Sequence, residues 1–404
     1  MAPHKPPSSG ITTTALLILT LTLPTTAIFS SPPLIINTWS GPFTAATNAA
    51  YLTLSNSSST SLDAVQAGCQ ACQTNQCDNT VGFGGSPDES CETTLDALIM
   101  DGQTLNAGAV ANLRRVKDAV GVARHVLDYT QHTLLAGDQA TQFALQNGFE
   151  EESLSTENSL RACHEWRSNN CQPNYRSNVL PNPLSSCGPY SPSSTSLTQN
   201  NIPNPSSSDH SHDTLSLLAL SPSGSMAACT TTNGASHKIP GRVGDGPIPG
   251  SGSYVDSTAG ACGATGDGDL MMRLLPCYQA VESLRRGLSA QEAADDAVRR
   301  IIARYPGART GIVVMDNRGE HAAAASGWEF TYSYRGKGME NAEVVVVKAL
   351  NEISESCHLH DELLAMLNQP PQTYMLPPKA AYPNWPFTVT GHIFSINPKP
   401  ITRN

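Results

Sequence analysis

Apolar residues in this chain come in short runs separated by polar turns, and the runs change period as the chain proceeds. Residues 33–39 (PLIINTW) are mostly apolar without a helical period, the pattern of a buried strand. Residues 61–72 (SLDAVQAGCQAC) carry apolar positions at helical spacing, with Ser61 and Asp63 placed to cap the first turn. The glycines of residues 82–87 (GFGGSP) demand a tight turn. Residues 117–129 and 138–147 read as helices, with a strand at 132–135 between them. From Leu184 to Asp213 Ser, Pro and Asn dominate; such a segment buries too little apolar area to offset its ordering entropy and reads as a mobile surface loop.

Order resumes abruptly at Thr214. Residues 214–220 (TLSLLAL) predict a strand, 222–225 a turn and 226–231 a second strand, together a hairpin. Residues 241–269 are Gly-rich and read as irregular. Helices follow at 270–286 and 290–304, then a hairpin of strands 310–315 and 320–325 around Asp316-Asn317-Arg318-Gly319. No internal repeat interrupts this order. Strand pairs alternating with helix pairs predict sheets layered with helices.

The chain of 404 residues is long enough for one large α/β domain or two ordinary ones. Its net charge of −10, with no cluster of Lys and Arg, argues against a nucleic-acid partner. Residues 1–27 have the form of a secretory leader: a weakly basic start at His4 and Lys5, an apolar core over 15–24 (ALLILTLTLP), and small residues ending at Ala27. A plastid transit peptide is the competing reading of this Thr- and Ser-rich, acid-free segment. The apolar core is too short to span a bilayer, and no later run is longer. Eleven cysteines suit an oxidising compartment, and their odd number leaves at least one thiol unpaired or bonded between molecules. Asn56-Ser57-Ser58 is a glycosylation sequon.

The chemistry concentrates where the polar loop meets the buried strand, at His212-Asp213-Thr214. A threonine hydroxyl is a weak nucleophile without an adjacent base. Scission of the Asp213–Thr214 bond would give Thr214 an α-amine able to serve as that base, and a slack loop permits the cut. Alone, Thr214 reads equally well as the ordinary start of a strand. It is followed by Thr230-Thr231-Thr232-Asn233-Gly234 at the end of the partner strand, by residues 241–248 (GRVGDGPI) and by residues 259–269 (AGACGATGDGD).

This set resembles the aspartylglucosaminidases, the lysosomal-type N4-(β-N-acetylglucosaminyl)-L-asparaginases of the N-terminal-nucleophile hydrolase superfamily. Further matching stretches are 78–92 (DNTVGFGGSPDESCE), 93–108 (TTLDALIMDGQTLNAG), 121–123 and 171–175 (CQPNY), so the resemblance runs from about Pro33 to about Tyr334. It implies an α+β fold, a four-layer αββα sandwich, and autoproteolysis at Asp213–Thr214. The products would be an α chain of residues 28–213 and a β chain of 214–349, pairing into a dimer of αβ protomers. It also implies roles. Thr214 attacks the side-chain amide of the substrate while its α-amine carries the proton. Thr232 orients the nucleophile. The Thr265 hydroxyl and the Gly266 N–H form the oxyanion hole. Arg242 receives the α-carboxylate, and Asp245 with the Gly268 carbonyl receives the α-ammonium. Val243, Gly244 and Asp267 complete the binding loops, and Trp39 walls the sugar side.

The resemblance pairs Cys72 with Cys77 and Cys171 with Cys187 and leaves Cys91, Cys163, Cys262 and Cys277 as candidate free thiols. Positions that carry further bridges in animal relatives read Ala294 and Val314 or Met315 here, so those bridges are absent. Cys229 replaces a family glycine, adding bulk beside the hairpin end, and residues 350–404 depart from the family ending. No metal or cofactor is implied: Cys69, Cys72 and Cys77 lack a second ligand pair at zinc spacing. The expected reaction is hydrolysis of a small-molecule glycoasparagine to aspartate and a glycosylamine, in a lysosome, a vacuole or the extracellular space. The rivals are an L-asparaginase/isoaspartyl dipeptidase of the same superfamily and an uncleaved relative that only binds ligands. An α-amine ordinarily titrates near pH 8, so work in an acidic lumen requires desolvation to lower that value.

Overall fold

A computed structural model describes residues 28–29, 32–193 and 214–350. The leader of residues 1–27, residues 194–213 of the expected loop with Asp213, and the chain from residue 351 with Cys357 lie outside the described residues.

In chain order the first half comprises β1 (Ile28–Phe29), β2 (Leu34–Thr38), α1 (Thr44–Leu54), α2 (Ser61–Asn75), β3 (Leu95–Asp101), β4 (Ala107–Leu113), α3 (Ala119–Tyr129), β5 (Leu134–Ala136), α4 (Gly137–Gln146), α5 (Glu157–Ser168), β6 (Val179–Leu180) and β7 (Ser191–Pro192). The second half comprises β8 (Leu215–Leu220), β9 (Met226–Thr232), β10 (Ser253–Asp256), β11 (Gly260–Gly266), α6 (Gly268–Leu274), α7 (Pro276–Arg285), α8 (Ala290–Arg304), β12 (Thr310–Asp316), β13 (Glu320–Ser326), β14 (Phe330–Gly336) and β15 (Glu343–Val347).

Two sheets stack face to face between two helical layers. The large sheet has the strand order β15-β14-β2-β8-β9-β3-β4-β5 and the small one β1-β13-β12-β11-β10. Between them lies an apolar layer of Leu34, Ile36, Leu218, Ala228, Val313 and Phe330. Ala46, Val65, Val120 and their neighbours seal α1, α2 and α3 onto the outer face of the large sheet. Cys277, Ala293, Ala297 and Val298 seal α7 and α8 onto the small one. The four-layer αββα arrangement expected from the resemblance is therefore present. In the large sheet, β2 and β3 from before residue 214 alternate with β8, β9 and β14 from after it.

Local chemistry explains most element ends. α2 starts at a reciprocal cap in which Thr60 and Asp63 exchange side-chain and backbone hydrogen bonds, so the capping residue is Thr60 rather than Ser61. α8 starts with the same device from Ser289 and Glu292 and buries Ala290, Ala293, Ala294, Ala297, Val298 and Ile301 along one stripe. The expected single helix 270–286 is two, α6 and α7, broken where Leu275 adopts φ 49° before Pro276.

The larger departure is the Gly-rich segment. Residues 253–256 and 260–266 are not irregular but form β10 and β11. Gly263 serves close sheet packing: a Cβ there would lie 2.9 Å from the Ser216 Cβ in the facing sheet. Ser216 Oγ also donates toward the carbonyls of Ala264 and Gly252, each at 2.9 Å, stapling β8 to the small sheet. The first residues of the expected mobile loop, 184–193, are held by the Cys171–Cys187 bridge and the β6–β7 pair.

The cysteines also correct the expectation. Cys72–Cys77 and Cys171–Cys187 are bridged, but the four candidate free thiols are not free. Cys91 pairs with Cys163 because the segment leading into β3 runs beside α5, and Cys262 pairs with Cys277 because α7 packs on β11. Their Cα atoms come within 5.5 and 5.0 Å respectively. Cys229 is bonded to Cys69, so its bulk points into the α2 layer and not into a pocket. Asn56 is exposed in a loop after α1, its Oδ1 accepting from the Ser58 N–H and hydroxyl.

Candidate active site

Thr214 sits one residue before β8 and is 3% exposed. Three strands hold it. Its carbonyl accepts from Thr38 Oγ1 at the end of β2 (3.0 Å), and the same Oγ1 accepts from the Ser216 N–H (2.8 Å). Its N–H donates to Thr265 Oγ1 of β11 at 3.0 Å, across the gap between the sheets. β8 pairs with β9 so that Leu215 faces Thr231; one further step sets Thr214 against Thr232. Thr232 Oγ1 accepts from the Gly234 N–H at 2.9 Å, and a hydroxyl that accepts retains a proton to donate.

Thr265 closes the site from the small sheet and is fully buried. After it Gly266 takes φ 130°, where a Cβ would strike the Arg309 carbonyl at 2.2 Å, so only glycine fits. The Asp267 N–H then bonds that carbonyl (2.9 Å), and Asp267 caps α6 through the Leu270 N–H.

The loop from β9 to β10 supplies the charges. Arg242 directs Nε and Nη2 onto Asp269 Oδ2 at 3.2 and 2.7 Å. Asp245 is buried beside it, and glycines leave it room: a Cβ on Gly268 would lie 2.6 Å from Asp245 Oδ1, and one on Gly244 2.8 Å from Arg242 Nη1. Asp245 Oδ2 is buried with no hydrogen-bond partner among the described residues. Desolvation pushes its carboxyl up to about 7, against the opposing pull of Arg242. Val243 is half-buried between these two residues in sequence. The backbone ties this loop to the strand that follows Thr214: the Gly252 N–H bonds the Asp245 carbonyl (3.0 Å), while the Gly252 carbonyl receives Ser216.

Trp39 follows Thr38 with φ 81° and packs edge-on against Trp328 and Phe330, with centroids 5.1 and 5.6 Å apart. Its indole Nε1 is buried without a partner among the described residues. Every candidate site residue in the described chain thus lies around one spot, where the ends of β2, β8, β9 and β11 meet.

Several contributors carry no signal in the sequence. Thr38 reads there only as part of a strand, yet it holds the Thr214 carbonyl. Asp96 faces Thr232 in the ladder and accepts from the Asn112 N–H at 2.7 Å. Lys238 is buried, pushed down to about 8 by desolvation, and donates to the carbonyls of Asn233 (2.7 Å) and Ser86 (3.3 Å). It ties the turn at 82–87 to the chain leaving Thr232. A buried lysine within a Ser- and Gly-rich stretch has no periodicity to mark it. Among the described residues no group of His, Cys, Asp and Glu is arranged to hold a metal ion, and Cys69, Cys72 and Cys77 are consumed by bridges.

Comparison with known proteins adds an independent line. The model of the asparaginase family matches residues 27–346. The N(4)-(beta-N-acetylglucosaminyl)-L-asparaginase of Mus musculus is 51% identical over 312 residues, covering 77% of this chain and 89% of that protein. The protein of the same name from Rattus norvegicus aligns with the same identity and coverage. The probable isoaspartyl peptidase/L-asparaginase 3 of Arabidopsis thaliana is 46% identical over 329 residues, covering 78% of this chain and 90% of that one.

Proposed function

The chain belongs to the asparaginase family, and from that premise we propose that it hydrolyses the β-amide bond joining N-acetylglucosamine to asparagine, with Thr214 as nucleophile after the Asp213–Thr214 bond has been broken. The observation that carries this reading is the buried Oδ2 of Asp245, unpartnered among the described residues and close enough to Arg242 to feel its charge. Isolated buried acceptors are costly. A free α-ammonium and α-carboxylate on one carbon would satisfy Asp245 and Arg242 together, and would fix the side-chain amide of the same molecule near Thr214.

Maturation and turnover then use one hydroxyl. In the precursor Thr214 Oγ1 attacks the Asp213 carbonyl, and the resulting ester hydrolyses to leave a free α-amine. In turnover Oγ1 attacks the substrate amide while that amine takes the proton and returns it to the departing glycosylamine. Water then frees aspartate from the Thr214 ester. The Thr265 hydroxyl lies 3.0 Å from the Thr214 nitrogen, which suits it, with the Gly266 N–H, to meet the oxyanion; such a donor typically contributes about 3–4 kcal/mol. Burial of Thr214 favours the neutral amine and so a base that works below neutral pH. Trp39, Trp328 and Phe330 would flank the sugar.

The five bridges among the described residues fit a protein of the oxidising secretory route. We read its destination as a lysosome or vacuole and its assembly as a dimer of αβ protomers, which light scattering of the purified protein would measure. A second reading follows from the Arabidopsis relative's name: an isoaspartyl peptidase/L-asparaginase. The test is kcat/KM for N-acetylglucosaminyl-asparagine against asparagine and a β-aspartyl dipeptide. Preference for the glycosylated substrate is expected, and preference for the dipeptide overturns the proposal in favour of the second reading. Thr214→Ala should give one band on a reducing denaturing gel and no activity; two bands would refute cleavage by Thr214.

A further inference from the structure

The Cys69–Cys229 disulfide has no role in the chemistry just described, yet its position is distinctive. Cys69 lies on α2 and Cys229 in the middle of β9, 160 residues apart in sequence with Cα atoms 6.8 Å apart, and both are fully buried. Cys229 faces Leu217 of β8 on one side and Ile99 of β3 on the other. The other bridges each close on one side of residue 214: Cys72–Cys77, Cys91–Cys163 and Cys171–Cys187 before it, Cys262–Cys277 after it. Among the described residues only Cys69–Cys229 crosses that point.

We propose that Cys69–Cys229 is the covalent joint between the two chains that scission at Asp213–Thr214 produces, an inference that rests on the cleavage reading above. Scission leaves the molecule one covalent species, with the catalytic hairpin bolted to α2. The same helix grips the same strand a second time, through Gln73 Oε1, which accepts from Thr231 Oγ1 at 2.9 Å. Gly68 assists, since a Cβ there would meet a Leu217 methyl at 2.6 Å; α2 can press close to β8 only without it. Forming the joint removes one hydrogen from each thiol. The two electrons and two protons pass to a disulfide oxidant of the secretory route by thiol–disulfide exchange. Once α2 has closed over β9, both sulfurs are shielded from thiolates in solution, so the joint persists through the life of the folded enzyme.

The experiment uses the full chain from a secretory host, with free thiols blocked before denaturation. Without reductant the cleaved protein should run as one band, and with reductant as two. Two bands without reductant would overturn the joint. One band under both conditions would instead indict the cleavage reading, and a non-reducing peptide map then decides the joint separately. A linked peptide pair containing Cys69 and Cys229, lost on reduction, supports it; either cysteine found free or bonded elsewhere overturns it. Cys229→Ala should release two bands without reductant. If that variant fails to fold, the wild-type peptide map still decides between joint and no joint.

Discussion

Asp245 is a buried acid beside Arg242, and its proposed role in holding the ligand's α-ammonium predicts how ligand binding responds to pH. Burial holds its carboxyl up to about 7 in the ligand-free protein, so ionising it there costs about 4 kcal/mol more than in water. The folded-state value lies above that of an unfolded aspartate. The Asp245 contribution to stability is therefore fully present below about pH 4 and is lost as pH rises toward 7. A ligand bearing an α-ammonium needs the ionised form. At pH 5 only about one site in a hundred holds it, so binding must expel a proton, and affinity should rise about tenfold per pH unit until it levels near 7. Calorimetric titration with aspartate, in buffers of differing protonation enthalpy, measures both quantities. About one proton should be released per site at pH 5 and almost none at pH 8, with affinity about 50-fold tighter at pH 7 than at pH 5. Succinate, which lacks the ammonium, should show only the pH dependence of its own second carboxyl group, and once that is subtracted its comparison cancels any titration of the Thr214 amine. Asp245→Asn should bind aspartate weakly at every pH. A flat aspartate profile, or an equal slope for succinate after subtraction of its own carboxyl titration, would refute the assignment of Asp245.

Two further substitutions probe other parts of the fold. Thr265→Val keeps the volume of the side chain but removes the hydroxyl facing the Thr214 nitrogen; steady-state kinetics of the cut fraction, normalised to its amount on a reducing gel, should show kcat reduced about 10²–10³-fold with KM little changed. Gly263→Ala places a methyl 2.9 Å from the Ser216 Cβ; the sheets must part slightly, at about 1–3 kcal/mol, seen as a Tm lower by about 2–4 °C per kcal/mol in thermal unfolding.

Where side-chain period and burial agree, the elements are legible in the sequence. The run at 34–38, the hairpin from Thr214, the α8 stripe and the 310–326 hairpin all follow from it. β10 and β11 are not, because Gly260, Gly263 and Gly266 look like loop residues, whereas the missing side chain of Gly263 lets two sheets touch and side chains at Gly260 and Gly266 would strike the carbonyls of Met315 and Arg309. The α6–α7 break is hidden because Leu275 has a strong helix preference; Pro276 disfavours the right-handed helical region for it, and it takes the left-handed one. For the site, motif residues mark Thr214, Thr232, Arg242, Asp245 and Thr265. Thr38, Asp96 and Lys238 escape because each acts by holding backbone, and any strand or loop could have carried that residue type. The cysteine partners escape for a different reason: pairing is a fact of three-dimensional distance that spacing does not encode.

The contact between Thr214 and Thr265 spans two sheets whose strands come from distant parts of the chain. Neither residue can find the other in a half-assembled molecule, and the ladder that interleaves β2 and β3 with β8, β9 and β14 must already be knitted. If scission at Thr214 depends on that encounter, the cut is a receipt for completed folding. A chain that stalls earlier stays whole and inert, without an exposed reactive amine. The ratio of cut to uncut protein then reports conformational success directly, and a substitution far from the pocket that loosens the sheet interface should appear first as uncut precursor.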